Sequence, residues 1–292
     1  MKKILVYGRI GQVGWELRRT LATLGQVIAL DREDVDMTNS DALIKSVREH
    51  SPDIIVNAAA YTAVDKAETD YDLAMALNGK APGVLAEEAK RLKAILVHYS
   101  TDYVYDGQSK LAYSETHVTR PLNAYGKTKL AGDEAIQAVG GSHLIFRTSW
   151  VYGARGHNFM LTMLRLAKEK EQLKIVADQI GAPTWSRMIA QSTSQVLSQC
   201  VTQPDESKWG IYHLSSGGET SWCGFAEKIF KNAECRPGFR SPKVLPIPSS
   251  EYPLPAQRPQ NSLLCNNKFW KAFGLKMPDW DVALELCMAE ME

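Results

Sequence analysis

The first half of the chain alternates short apolar runs with longer stretches in which apolar residues recur every three or four positions. The runs "KILVY" (3–7), "VIAL" (27–30), "DIIVN" (53–57), "AILVHY" (94–99) and "HLIFR" (143–147) are almost continuously apolar. That is the pattern of strands covered on both faces of a parallel sheet. Amphipathic patterns at 12–24, 40–50, 71–92 and 122–139 predict the intervening helices. Strictly alternating strands and helices predict an α/β fold built on a Rossmann-type, doubly wound parallel sheet. After about residue 150 the rhythm loosens. A helix near 157–170, a strand "KIVA" (174–177), a helix at 186–201 and a strand "IYHL" (211–214) are still legible. The Pro-rich stretch "PKVLPIPSSEYPLPAQRP" (242–259) has no period and reads as a folded crossing loop, and a helix begins near Pro278.

Composition narrows the function classes. The 34 basic and 33 acidic residues nearly cancel, which removes the electrostatic case for a nucleic-acid partner. The apolar run near the N-terminus stops after four or five residues, short of the ~7–15 of a secretory signal or the ~20 of a membrane span. Cys200, Cys223, Cys235, Cys265 and Cys287 are widely spaced, with no C-x-x-C pair. They predict neither a disulfide framework nor a zinc site, and fit thiols buried inside a cytoplasmic protein with no membrane partner.

Ligands of open α/β sheets bind beyond the carboxyl ends of the strands, so those segments deserve a separate reading. After the first strand comes "GRIGQVGWEL", with Gly8, Gly11 and Gly14 around Gln12 and Val13. Such a turn lets the backbone approach a pyrophosphate, and the following helix offers free N–H groups. The spacing is G-x-x-G-x-x-G, and its bland alternative is a plain strand-to-helix turn. Asp31 ends the second strand, where a carboxylate can bond the adenosine ribose. Arg9 and Arg32 can instead meet a 2′-phosphate, which leaves NADH and NADPH both open. "NAAAYT" ends the third strand with small residues that either admit a flat ring or merely pack under a helix. The fourth ends "HYSTDYVYDG", placing Thr101 and Asp102 at the cleft, and the fifth "FRTSWVYG", adding Trp150. His98 also sits at a strand end, but without a carboxylate or cysteine at ligand spacing it reads as structural.

On the helix between the fourth and fifth strands lies "LNAYGKTKLAG" (122–132). Of 11 tyrosines only Tyr125 has a lysine, Lys129, four residues on, and the two share a helix face. A phenol is a poor acid at neutral pH unless a nearby cation favours its anion. The pair therefore predicts a proton donor tuned by an ammonium, with Thr101 as a second donor to the reacting oxygen. The reaction class is hydride transfer between a nicotinamide and a ketone or secondary alcohol.

The glycine spacing with Y-x-x-x-K resembles the extended short-chain dehydrogenase/reductase superfamily. Taken in order over residues 4 to about 265, "GQVGWEL", "NAAAYTAVDKAE", "HYSTDYVYDG", "NAYGKTKLAG", "FRTSWVYG", "DQIGAPT" and "RPQNS" resemble the dTDP-4-dehydrorhamnose reductase family. The resemblance implies Thr101, Tyr125 and Lys129 as the catalytic set. It implies cofactor contacts at Gly8, Gly11, Gln12, Val13, Gly14, Asp31, Asp36, Met37, Ala60, Tyr61, Thr62, Tyr125 and Lys129. Substrate contacts would be Thr101, Asp102, Trp150 and Arg258. The implied reaction is NADPH- or NADH-dependent reduction of the 4-keto group of dTDP-6-deoxy-L-lyxo-4-hexulose to dTDP-L-rhamnose, a polysaccharide precursor. Residues 1–150 would form the dinucleotide-binding domain, borrowing elements from about 186–215, and 151–292 mainly a substrate-binding lobe. Some family members are described as homodimers bridged by Mg²⁺ through carboxylates on the first helix and on the helix after "GAPT". Glu16 is present, but "GAPTWSRMIAQST" carries no acidic residue, which argues against a metal here. An epimerase or another sugar-nucleotide ketoreductase of the superfamily, and a non-catalytic cofactor-binding subunit, are the competing readings.

Overall fold

Five apolar runs become the strands β1 (Lys2–Tyr7), β2 (Gly25–Leu30), β3 (Ile54–Asn57), β4 (Ile95–Thr101) and β5 (His143–Thr148) of one sheet. The structure is a computed structural model and describes residues 1–291. A sixth strand, Gly210–His213, pairs with β5, so that the order runs Gly210–His213, β5, β4, β3, β1, β2, every pair parallel. The chain builds β2 on one side of β1 and then crosses to build β3 on the other. That reversal opens a crevice at the carboxyl ends of β1 and β3, the place where such sheets take ligands. The expected doubly wound α/β sheet is therefore the observed one.

Helices α1 (Gln12–Thr20), α2 (Ser40–His50), α3 (Tyr71–Met75), α4 (Ala81–Leu92) and α5 (Ala124–Val139) follow the strands in turn. One sheet face buries Ile4, Val6 and Val97 against Leu17 of α1, Ile189 of the helix Ser186–Thr202 and Phe269 of the helix Asn267–Phe273. The opposite face buries Leu5, Ile55 and Leu96 against Leu43, Leu85 and Ile136 of α2, α4 and α5. A separate apolar core forms beyond the strand ends. There the helices Phe159–Glu169, Trp222–Ala233 and Trp280–Ala289 enclose Met160, Phe225, Phe230 and Leu284.

Three departures from the sequence reading have physical causes. The Pro-rich stretch is not all loop, because Lys243–Ile247 pairs in parallel with Gln172–Val176. Pro246 is accommodated in a two-stranded ribbon, where one side needs no ladder donor. The pattern at 71–92 is one unbroken helical run but not uniformly α, since a π-helical turn at Ala76–Lys80 lies between α3 and α4. Among the cysteines, Cys200, Cys223 and Cys287 are buried, while Cys235 is exposed and Cys265 half-buried.

A buried ion pair knits the sheet to α5. Arg147 of β5 donates from Nε to Asp133 Oδ2 at 3.1 Å, and both side chains are sealed from solvent. Arg147 also donates to the Tyr105 hydroxyl at 2.8 Å, and that hydroxyl meets His213 Nε2 at 2.8 Å. His213 is held neutral by burial, its pKa pushed down to about 3. The guanidinium thus secures the edge strand through a neutral relay. Removing one member leaves a buried charge alone, so Arg147→Ala should cost about 3–5 kcal/mol in denaturant unfolding. The double replacement Asp133→Asn with Arg147→Met should cost clearly less than Arg147→Ala.

Candidate active site

The glycine-rich turn is shaped by contacts that admit no side chain. Gly8 adopts φ +88°, and a Cβ there would lie 2.8 Å from the Ala59 nitrogen at the end of β3. A Cβ on Gly14 would collide with the Gly8 carbonyl oxygen. Gly11 precedes α1 without a side-chain cap, and the first turn of α1 carries no acidic residue. Its N–H groups therefore face the crevice with the positive end of the helix, which fits a pyrophosphate. Asp31 lies beside this turn, its carboxylate accepting from Ile10 N at 3.1 Å and Arg32 N at 2.7 Å. Gln12 accepts from Asn158 Nδ2 at 2.9 Å. Val13 packs into the sheet core.

Other expected cofactor contacts are placed less directly. Asp36 is engaged in a turn with Thr38, and the Met37 side chain is buried in the core beneath α2 and α4. Main-chain groups are what this pair can offer a ligand. The segment Ala60, Tyr61 and Thr62 is pinned by Asn78, whose amide accepts from Tyr61 N at 2.8 Å and donates to Tyr61 O at 3.1 Å. Asn78 sits in the π-helical turn, which swings its side chain out of the helical hydrogen-bond pattern. A sequence reading that treats 71–92 as one helix cannot single it out.

Helix α5 brings the reactive groups together. Asn123 caps it, accepting from Gly126 N at 2.8 Å, while its own amide donates to the Gln257 carbonyl at 2.7 Å. Gly126 lies against the Tyr103 carbonyl so closely that a Cβ would clash. The helix can therefore sit on the end of β4, which sets the Tyr125 phenol beside Thr101, whose hydroxyl donates to Asp102 Oδ1 at 3.1 Å and accepts from Tyr103 N at 3.2 Å. Tyr103 meets the Tyr125 ring edge-on at 5.5 Å. Lys129, one turn further, is fully buried. Its Nζ donates to the Tyr99 carbonyl at 2.6 Å and lies 3.1 Å from His98 Nε2.

In the chain without nucleotide, burial dominates both reactive groups. Burial pushes Tyr125 up to about 12, with Thr101 working against it. Lys129 is drawn to β4 rather than to the phenol, and burial lowers it to about 8. Asp102 is raised to about 6 by burial, against hydrogen bonds from Ser262 and Thr101. Its Oδ2 has no partner.

A cavity of about 1070 Å³ opens near the segment that leads into α5, lined by Leu122, Phe159, Trp222, Tyr252, Arg258 and Gln260 among others; Thr101, Asp102, Tyr125 and Lys129 are not part of its wall. Arg258 is held in a bidentate pair with Asp65 at 2.8 and 3.0 Å. Trp150 adopts φ +48° and stacks face to face on Trp222 at 3.6 Å, so the indole on the cavity wall is that of Trp222. Its place in "ETSWCGF" does not single it out.

The residues around Glu16 do not fit a Mg²⁺ bridge. Glu16 accepts from Arg187 Nε at 3.2 Å, and Arg187 pairs through its other nitrogen with Glu290. A guanidinium stands where a metal would need oxygen donors. No cluster of three metal-ligating side chains exists among the described residues.

The whole chain, residues 1–292, matches the family model described as RmlD substrate binding domain. A Burkholderia thailandensis protein named dTDP-4-dehydrorhamnose reductase is 50% identical, over 99% of this chain and 99% of its own length. The chain belongs to the dTDP-4-dehydrorhamnose reductase family. Two solved structures of reductases so named superpose with a TM-score of 0.90 each. That from Clostridium acetobutylicum is 37% identical and that from Bacillus anthracis, in complex with NADP, 35% identical, each covering 99% of both chains.

Because Asp102 has a raised pKa in the folded chain, the folded state binds its proton more tightly than the unfolded state does. Its contribution to stability is present at low pH and is lost as pH rises through about 6. Between about pH 4 and pH 7, Asp102→Asn should gain on the parent chain by up to about 3 kcal/mol. Paired denaturant titrations at the two pH values measure this difference.

Proposed function

We propose that this chain reduces the 4-keto group of dTDP-6-deoxy-L-lyxo-4-hexulose to give dTDP-L-rhamnose, using a reduced nicotinamide dinucleotide. The observation that carries the reading is the placement of the Tyr125 phenol beside Thr101 at the carboxyl end of β4, with Leu122, just before α5, lining a cavity of about 1070 Å³. End-to-end similarity to proteins named for this reaction supports it.

The bound nicotinamide supplies hydride to the carbonyl carbon. Tyr125 gives its phenolic proton to the carbonyl oxygen, and its high pKa keeps that proton in place until charge develops there. Thr101 donates a second hydrogen bond to the same oxygen and stabilises its growing charge. Lys129 holds the nicotinamide ribose, and the glycine-rich turn with Asp31 holds the pyrophosphate and adenosine. Arg258, fixed by Asp65, faces the cavity as a cation for the substrate's diphosphate. Asp102 and the indoles of Trp222 and Trp150 border the sugar. In this scheme residues 1–150, with about 186–215, carry the dinucleotide, and the rest of 151–292 orients the sugar. A cytoplasmic location suits a pathway fed by soluble nucleotide sugars, and no described helix is long and apolar enough to cross a membrane.

Both nicotinamide dinucleotides fit the adenosine end. Arg9 is paired with Asp34 at 2.9 Å, a surface contact that a 2′-phosphate can displace. Arg9→Ala should weaken NADPH binding about tenfold and leave NADH nearly unchanged, as read by cofactor fluorescence titration.

Tyr125→Phe should lower turnover roughly 10²–10⁴-fold while leaving cofactor affinity within about twofold. Unchanged turnover would remove the proposed mechanism. Steady consumption of NADPH or NADH with the 4-keto sugar nucleotide separates a reductase from an epimerase, and NMR of the product fixes its C4 configuration. A talose-configured product would refute the rhamnose assignment.

A further inference from the structure

Beneath the reactive pair lies a buried polar chain whose hydrogens can be counted. Asn57 ends β3, and its Oδ1 accepts the Ala59 main-chain N–H at 3.2 Å. This fixes the amide orientation and turns Nδ2 toward His98 Nδ1 at 3.1 Å. An amide nitrogen can only donate, so Nδ1 of His98 carries a lone pair. The ring is neutral, since burial and then the neighbouring Lys129 drive its pKa well below 6.5. A neutral imidazole with a bare Nδ1 carries its hydrogen on Nε2. That N–H points at Lys129 Nζ, 3.1 Å away.

An ammonium at Lys129 would set hydrogen against hydrogen at this contact. Turning the Asn57 amide over would relieve it, but would then face the Ala59 N–H with another donor. A neutral amine satisfies every contact at once, accepting from His98 while donating to the Tyr99 carbonyl. The other groups facing Lys129 do not reverse this. Asp133, one turn along α5, favours the ammonium but is shared with Arg147 of β5, and Tyr125 keeps its proton.

We propose that Asn57 and His98 are positioning residues that bias the Lys129 nitrogen toward the neutral amine before nucleotide binds, by presenting a donor where an ammonium needs an acceptor. The importance of this to turnover rests on the reductase reading. The arrangement itself does not, because it is measured in the whole chain without nucleotide. Reductase failure and failure of this proposal are therefore distinguishable.

Nitrogen-15 shifts of the labelled histidines test the tautomer directly. His98, assigned by its absence from His98→Gln, should show a bare Nδ1 and a hydrogen on Nε2 near neutral pH. A hydrogen on Nδ1 overturns the proposal. The Lys129 titration is followed by lysine side-chain NMR, with the signal assigned by its loss in Lys129→Met. In Asn57→Asp the carboxylate still accepts from Ala59 N–H but now takes a hydrogen from Nδ1, making Nε2 an acceptor. The Lys129 pKa should then rise by roughly one unit or more. His98→Gln can present an amide oxygen without adding charge, and should raise it as well. A rise confined to Asn57→Asp is simple charge attraction and overturns the proposal, as does no rise in either variant. If neither variant folds, the tautomer in the unaltered chain decides.

Discussion

The candidate site depends on one close approach, that of Gly126 to the carbonyl of Tyr103. With no Cβ between them, the first turn of α5 lies directly on the loop that leaves β4. Three results follow from this single contact. The Tyr125 phenol comes within hydrogen-bonding reach of Thr101, Lys129 is driven under the sheet end, and Asn123 at the cap reaches across to the late segment at Gln257. Any side chain at position 126 would lift the helix and separate all three. The proton donor is thus set by backbone packing before any electrostatic tuning applies.

Around that contact the protein buries an unusual amount of ionisable chemistry. Lys129, Asp133 and Arg147 share one interior region, with Asp102, His98 and His213 close to it or connected to it. Burial is the leading cause of the shifts of Lys129, Asp133, Asp102, His98 and His213, whereas Arg147, against its own burial, is raised by Asp133 and Tyr105. The consequence is that neutral forms are favoured at every one of these groups except Arg147, and that hydrogen bonds among neutral partners carry much of the connectivity. Among the described residues only the Asp133–Arg147 pair remains a fully buried ion pair, and its guanidinium is tied further to Tyr105. This kind of interior trades stability for a fixed geometry of donors and acceptors, which a proton-transfer site requires.

Much of this was legible in the residues themselves. The strand runs placed all five early strands, because a strand buried on both faces must be apolar at successive positions. The Tyr125–Lys129 spacing and the polar clusters after β4 pointed to the same end of the sheet. What stayed hidden depends on pairing between distant segments. The strand Lys243–Ile247 has no alternation of its own and exists through its partner at 172–176. Asn78 is displayed by a π-helical turn that no local propensity marks. His98 reads as structural in the sequence, and its contacts with Asn57 and Lys129 need three separate elements to meet. Trp222 escaped notice for the same reason, since only the folded chain sets it against Trp150.

Gln12 sits in the glycine-rich turn, yet its side chain is held by Asn158, the residue that caps the helix Phe159–Glu169 on the cavity wall. Asn158 also donates to the Gly153 carbonyl, so the cap and the turn share one amide. The two ends of the crevice are therefore not independent surfaces. Free energy exchanged through such a shared contact is reciprocal: whatever strengthening a dinucleotide confers on the cavity through Gln12, an occupant of the cavity returns in equal measure to the dinucleotide. Order of arrival would change the path between the empty and the doubly filled protein, but never the size of that mutual term.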